Sequence, residues 1–223
     1  MIEPRNAEPP LYPEINEVAI PRLFAYHRAL AAAAKTGKTL ITSQGLALLL
    51  GHTISSQQIR KDFSALGPLG RRGHGYAINP LVQQLALVLG LERDSRIAIV
   101  GFGYLGHAFA TFITAREERF KVTAIFDNSP GVIGTQWQGV PVHDVTDLEA
   151  VLHGKNCNIG VLAVPAEAAQ KQAERLAAAS VGAILNFAPA TLHVQLPVIV
   201  RNIDLAGEMS ILTHRLSFAQ GLV

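Results

Sequence analysis

A single cysteine, Cys157, in 223 residues leaves no partner for an intrachain disulfide and no cysteine-based metal cluster. That usage fits a reducing cytoplasm. Cys157 stands just before an apolar strand pattern and reads as a small core filler. Nowhere do 18 apolar residues run together, and residues 1–13, with four prolines and acidic residues, lack the apolar core of a signal peptide. The chain is therefore expected to be soluble, without a membrane partner. The eight histidines include no His-x-x-x-His pair, so no metal site is expected. A nucleophile elbow and a Walker lysine are also missing.

Charge is sparse, at 16% of residues with a net of +2, but it is unevenly placed. Residues 20–80 carry eight Lys or Arg against one acidic residue, Asp62, a local net of +7. Residues 81–223 carry ten basic against twelve acidic residues, and residues 1–19 contribute −3. A basic module of this size points to a polyanion partner. The alternative on charge alone is a solvated basic face.

Residues 1–19 read as a mobile arm. Pro21 suits a helix start, and Ile20, Leu23, Phe24, His27, Leu30, Ala31 and Ala34 share one helical face. Thr42 or Ser43 can cap a second helix with Leu46, Leu49 and Leu50 inward, stopped by Gly51. Ser55 or Ser56 can cap a third, over 57–66, with Ile59 and Phe63 inward. Two short helices joined through 51–54 make a helix-turn-helix, whose second member lies in a DNA major groove. Gln57, Gln58, Arg60 and Lys61, in its first turn and a half, suit base edges and phosphates. The Gly-rich run 67–76 suits a β-hairpin wing, with Arg71 or Arg72 reaching phosphate or a narrow minor groove. An ordinary linker is the alternative, although it leaves two adjacent arginines unexplained. Ser43 and His74 complete the candidate DNA contacts. A helix from Asn79-Pro80 closes this module, placed at residues 20–92.

Gly101-Phe102-Gly103-Tyr104-Leu105-Gly106 organises the rest. It follows an apolar run at 97–100 that reads as a buried parallel strand, and it opens a helical run over 105–115. A dinucleotide fingerprint needs this context: a tight turn, backbone close to a pyrophosphate, and close helix-on-strand packing. The helix start supplies unpaired N–H groups for the phosphates. A second strand at 122–126 ends in Asp127, whose carboxylate can accept both ribose hydroxyls and repels a 2'-phosphate, favouring NAD(H) over NADP(H). The alternative for Asp127 is a solvated residue at a strand end. Strands near 139–142, 159–164, 183–187 and 198–200 alternate with helices near 147–152 and 165–179, as in a doubly wound parallel sheet. Val164-Pro165 and Phe187-Ala188-Pro189 follow strand ends, where such sheets bind ligands. A Rossmann domain over 93–204 leaves a helix in 205–223, with Leu205, Met209, Leu212 and Leu216 on one stripe. It either covers its own sheet or forms the dimer element that palindromic DNA requires. From Gly101 onward only 123 residues remain, too few for the added substrate domain of a dehydrogenase.

Several segments together resemble the Rex redox-sensing repressors: 54–63 (Ile-Ser-Ser-Gln-Gln-Ile-Arg-Lys-Asp-Phe), 70–76 (Gly-Arg-Arg-Gly-His-Gly-Tyr), the fingerprint, 163–170, Asn186-Phe187-Ala188-Pro189 and 200–205. The resemblance runs collinearly from about Ile20 to Phe218. It implies a homodimer of winged-helix plus Rossmann subunits that exchange the last helix. It also implies a repressor, not an enzyme, that binds inverted-repeat operators and lets go when NADH replaces NAD+. Arg60 and Lys61 then become base or phosphate contacts, and Arg71 or Arg72 the wing contact. Arg22 becomes the helix-1 arginine that pairs with Asp204 in one state of the switch. Phe112 stands where some members carry a tyrosine on the fingerprint helix. The competing classes are an NAD-dependent oxidoreductase and a CoA-binding Rossmann protein; neither accounts for the basic helix-turn-helix.

Overall fold

The structure, a computed structural model, describes residues 15–67, 70–71 (backbone only), 75–195 and 197–220. Two compact units divide between Arg93 and Asp94.

The first unit begins with helix α1 (Ile20–Lys35), which has Pro21 in its first turn. Strand β1 (Leu40–Ile41) leads into α2 (Ser43–Leu49) and then α3 (Ser56–Ala65). Thr42, not Ser43, caps α2 by accepting from Gly45 N–H at 3.0 Å, and Ser55 caps α3 by accepting from Gln58 N–H at 3.1 Å. Strands β2 (Gly70–Arg71) and β3 (Gly75–Ala77) follow, with β3 between β1 and β2 in an antiparallel sheet, and α4 (Ile78–Val88) closes the unit. This is a winged helix-turn-helix. Its core joins Leu23, Tyr26 and Leu30 of α1 to Leu46, Ile59, Phe63, Ile78, Leu81 and Leu85. The inward face of α1 is thus turned relative to the expected stripe, which carried Phe24 and His27 but not the fully buried Tyr26. An aromatic ring with a polar tip fits a core when its hydroxyl finds a partner, and Tyr26 finds one in Asp62.

The second unit holds a seven-stranded sheet. Its elements are β4 (Ser95–Val100), α5 (Tyr104–Arg116), β5 (Phe120–Asp127), β6 (Gln136–Trp137), β7 (Val140–Asp144), α6 (Leu148–Leu152), β8 (Ile159–Leu162), α7 (Ala166–Ala178), β9 (Ala183–Asn186), β10 (Ile199–Asn202) and α8 (Leu205–Ala219). The order is β10-β9-β8-β4-β5-β7-β6, parallel throughout except for β6 against β7. Ile97 and Ile99 pack on one face, while Ala98 and Val100 pack on the other. A strand covered on both faces has no polar side, which explains the uncharged run read as buried and parallel. Cys157 is buried on the Ala98 and Val100 face, where its Sγ lies 3.1 Å from Thr123 Oγ1. Winding runs one way through β4, β5 and β7 and the other way through β8, β9 and β10. A crevice therefore opens between the C-terminal ends of β4 and β8. None of the side chains of α8 is buried, so within this chain it does not cover its own sheet. Among the described residues no helix is long and apolar enough to cross a membrane.

Candidate functional site

The fingerprint lies on the β4 side of that crevice, and its glycines are shaped by their neighbours. Gly101 has φ +90°, and a Cβ there would collide with the carbonyl of Ala163, which follows β8. A Cβ on Gly106 would collide with Gly101 O, so only glycine lets α5 approach the turn. A Cβ on Gly103 would meet nothing within 4 Å, which leaves that face open for a ligand. No side chain caps α5, so its first N–H groups face that open space. Tyr104 is fully exposed there, and Leu105 is also exposed. The cradle fits a pyrophosphate.

Asp127 sits at the end of β5, 9% exposed, with both oxygens on backbone. Phe102 N–H donates to Oδ2 at 2.6 Å and Ser129 N–H donates to Oδ1 at 2.8 Å. The carboxylate therefore ties the fingerprint turn to the neighbouring strand. Each oxygen keeps a further lone pair for a ribose hydroxyl. The Phe102 ring packs near Trp137 and His107, with centroids 6.3 and 5.4 Å away. Val164, half-buried, and Pro165, exposed, follow β8. Phe187 follows β9, half-buried with its ring 5.6 Å from that of Phe109, and Pro189 is exposed two residues on. Phe112 is 56% exposed on α5, its ring 4.7 Å from the Arg116 guanidinium. Asp204 caps α8, accepting from Gly207 N–H at 2.8 Å.

In the first unit the expected readers separate into two groups. Gln57 and Lys61 are exposed on α3, and their side chains make no hydrogen bond among the described residues, whereas Gln58 and Arg60 turn inward at their tips. Arg60 donates to Ser43 Oγ at 2.9 Å, and Ser43 is itself buried. Gln58 donates to Asp62 Oδ1 at 2.7 Å. The same carboxylate takes both Nε and Nη2 of Arg22 at 2.8 Å and the Tyr26 hydroxyl at 2.8 Å. Arg22 is thus paired with Asp62 in this structure. Burial pushes the Asp62 carboxyl upward, but the donors from Arg22, Tyr26 and Gln58 outweigh it and hold the group below its ordinary value. Burial and the bond to Asp62 push the Tyr26 phenol up, and the same carboxylate raises the Arg22 guanidinium. The sequence reading missed Asp62 as the centre of this node. Its signal was the lone acid in a +7 stretch, four residues after a glutamine on a helix. Arg72 and His74 lie outside the described residues, as does the side chain of Arg71.

A winged helix-turn-helix and a dinucleotide-type Rossmann unit in one chain define a DNA-binding regulator that answers to a small ligand. Residues 14–64 match the family described as putative DNA-binding protein N-terminus, and residues 92–190 match the CoA binding domain family. The redox-sensing transcriptional repressor Rex of Streptomyces coelicolor is 42% identical over 198 residues, covering 89% of this chain and 76% of that protein. Two crystal structures of RSP, a Rex-family repressor, are also similar. The complex with β-NAD+ and operator DNA has TM-score 0.83 at 32% identity, covering 94% of this chain and 96% of that one. The complex with β-NADH has TM-score 0.79 at 31% identity, covering 94% and 98%. The chain belongs to the Rex family of redox-sensing transcriptional repressors, which are not enzymes.

Proposed function

We propose that this chain, as a cytoplasmic homodimer, binds inverted-repeat operator DNA and releases it when NADH replaces NAD+ in the crevice of its second unit. The observation that carries the reading is the three-glycine cradle at the sheet's switch point, in the same chain as a winged helix-turn-helix. The complexes of RSP with β-NAD+ and operator DNA and with β-NADH support it.

In this reading the fingerprint from Gly101 to Gly106 receives the pyrophosphate, Asp127 the adenosine ribose, and Val164, Pro165, Phe187 and Pro189 flank the nicotinamide end. The bound nucleotide supplies one difference, a positive charge on the oxidised ring that the reduced ring lacks. Asp204 meets that difference with its carboxylate, which otherwise caps α8 and is the proposed alternative partner of Arg22. Phe112 places a ring without a hydroxyl on the cofactor side of the switch. On the DNA side Lys61 and Gln57 reach from α3, Arg60 and Gln58 contribute after leaving Ser43 and Asp62, and Arg71, Arg72 and His74 form the wing contact. Inverted-repeat DNA requires two copies, and the exposed stripe of Leu205, Met209, Leu212 and Leu216 is the proposed dimer face. A ligand shifts DNA binding only by its differential affinity for the two states, and a hundredfold release requires about 3 kcal/mol.

Fluorescence anisotropy on a pool of labelled duplexes, with NADH or NAD+ added, tests the reading. Selection of a palindromic duplex that NADH releases and NAD+ does not is the expected result. Tight NADH binding with no DNA affinity at any salt overturns it. The match to the CoA binding domain family favours one second reading, a CoA site. The ribose of CoA carries a 3'-phosphate, which the Asp127 carboxylate at the β5 end opposes. Displacement of NADH by CoA in a titration would reverse that order.

A further inference from the structure

Asn186 is fully buried at the end of β9, where a parallel strand covered on both faces ordinarily carries an apolar residue. Both ends of its amide are engaged. Oδ1 accepts from Ala188 N–H at 3.0 Å, and the two N–H bonds of Nδ2 are shared among Ala188 O at 3.2 Å, Ala190 O at 3.0 Å and Asn202 Oδ1 at 2.9 Å. A flipped amide would set its oxygen against two carbonyls, so the network itself fixes the orientation. Asn202 must therefore present an acceptor.

The backbone of the same residue joins the same elements. Asn186 pairs in register with Leu162 of β8 on one side and Asn202 of β10 on the other. Phe187 N–H donates to Leu162 O at 2.9 Å, and Ile203 N–H donates to Asn186 O at 2.8 Å. One residue beyond Ile203, Asp204 caps α8. A loop at the proposed ligand crevice and the leader of an uncovered helix thus meet at one buried side chain.

We infer that Asn186 and Asn202 are a positioning pair that carries the state of the Phe187 to Pro189 loop to the start of α8. The inference rests on the proposed nucleotide-responsive reading and names a route for it. A ligand that moves the loop carbonyls of Ala188 and Ala190 moves the Asn186 amide, and the hydrogen bond to Asn202 passes that motion to the residue two positions before the helix cap. Strand β8 stands between the strands of both asparagines and β4, which leads into the fingerprint, so ligand affinity and coupling are separable quantities.

The experiment uses the full chain, with operator affinity measured by anisotropy with and without NADH, and hydrogen exchange followed at the first-turn amides of α8. Asn202 is exposed, so Asn202→Ala removes one bond without opening a cavity. It is expected to keep NADH affinity and nucleotide-free DNA affinity within about threefold, while the factor by which NADH releases DNA falls about tenfold. The NADH-dependent change in exchange at Gly207 is expected to vanish with it. Asn202→Asp keeps the acceptor and should restore most of the release factor, which a general loss of stability would not do. A full release factor in Asn202→Ala overturns the positioning pair while leaving the sensor reading intact. So does equal loss in Asn202→Ala and Asn202→Asp. No NADH response in the unaltered chain overturns both.

Discussion

The two units hold their candidate sites by opposite means. The nucleotide cradle is made by side chains that are absent: glycines at three positions and backbone N–H groups left for a ligand. The proposed DNA-reading helix α3 is held by side chains that are present, three of them meeting at the Asp62 carboxylate. A cradle of backbone fails when any atom is added, whereas a charged node fails when any partner is removed. Substitutions should therefore divide cleanly between the two.

The largest effect is expected at Gly106. A Cβ there must push α5 away from Gly101 O, because the obstructing atom is backbone and not a movable side chain. Gly106→Ala should weaken NADH binding by more than about 100-fold, roughly 2.7 kcal/mol. Nucleotide-free DNA affinity should stay within about threefold, because the winged unit has its own core. An NADH titration followed by fluorescence, paired with DNA anisotropy, checks both halves. Normal NADH affinity in this variant would remove the cradle from the argument.

Next comes Asp62. Removing it leaves Arg22, Tyr26 and Gln58 without their common acceptor. Asp62→Ala should destabilise the first unit by about 2–3 kcal/mol, less than for a fully enclosed pair because water reaches Arg22. Operator binding should be lost, with NADH binding retained. The node also sets an acid limit. A carboxyl held below its unfolded value, about 3.9, contributes stability that is complete above that value and is lost as pH falls through the folded value. Melting of the first unit should be flat from about pH 5 to 7 and should fall below about pH 4. In Asp62→Asn the contribution of this group to that fall should disappear. An unchanged acid profile would mean the node contributes nothing.

The same contrast explains what the sequence made legible. The alternation of strands and helices, the fingerprint and the capped α3 follow from local patterns, because hydrophobic period and glycine placement are written in neighbouring residues. Two of the two-residue strands, β1 and β6, carry no such period and escaped notice. Tyr26 and Asp62 are 36 residues apart, and their bond exists only once α1 and α3 have packed. Asn186 and Asn202 meet across β9 and β10 for the same reason. Arg60 and Ser43 have the right chemistry for DNA, but they occupy each other across α3 and α2, and Gln58 is taken by Asp62 one turn along its own helix. Backbone-built sites are readable from sequence; sites built by side chains from distant elements are not.

Asp127 sharpens the comparison, since it is a side chain serving the backbone-built site. In Asp127→Asn one amide N–H₂ must face the N–H of Phe102 or Ser129, two donors with no acceptor between them. NADH affinity should fall about tenfold, in the range of losing a charge-assisted bond and crowding a donor. No affinity for NADPH should be gained, because loss of repulsion is offset by a displaced turn. A variant that binds NADPH as well as NADH would show that Asp127 acts on the ribose alone.

The smallest effects belong to the exposed readers, and they test whether α3 works by charge or by recognition. Gln57 and Lys61 are both exposed on α3, but only Lys61 carries charge. If Lys61 neutralises a phosphate, Lys61→Ala weakens binding to all duplexes alike by about threefold to tenfold. It also reduces the slope of log affinity against log salt by about one. If it reads a base edge, the loss is confined to the selected palindrome and the slope is kept. Gln57→Ala has no counterion to release, so its slope should be unchanged whatever its effect on sequence preference. Measuring both variants at several salt concentrations separates the cases. Equal slopes for the unaltered chain and both variants would place the phosphate contacts elsewhere on the basic unit.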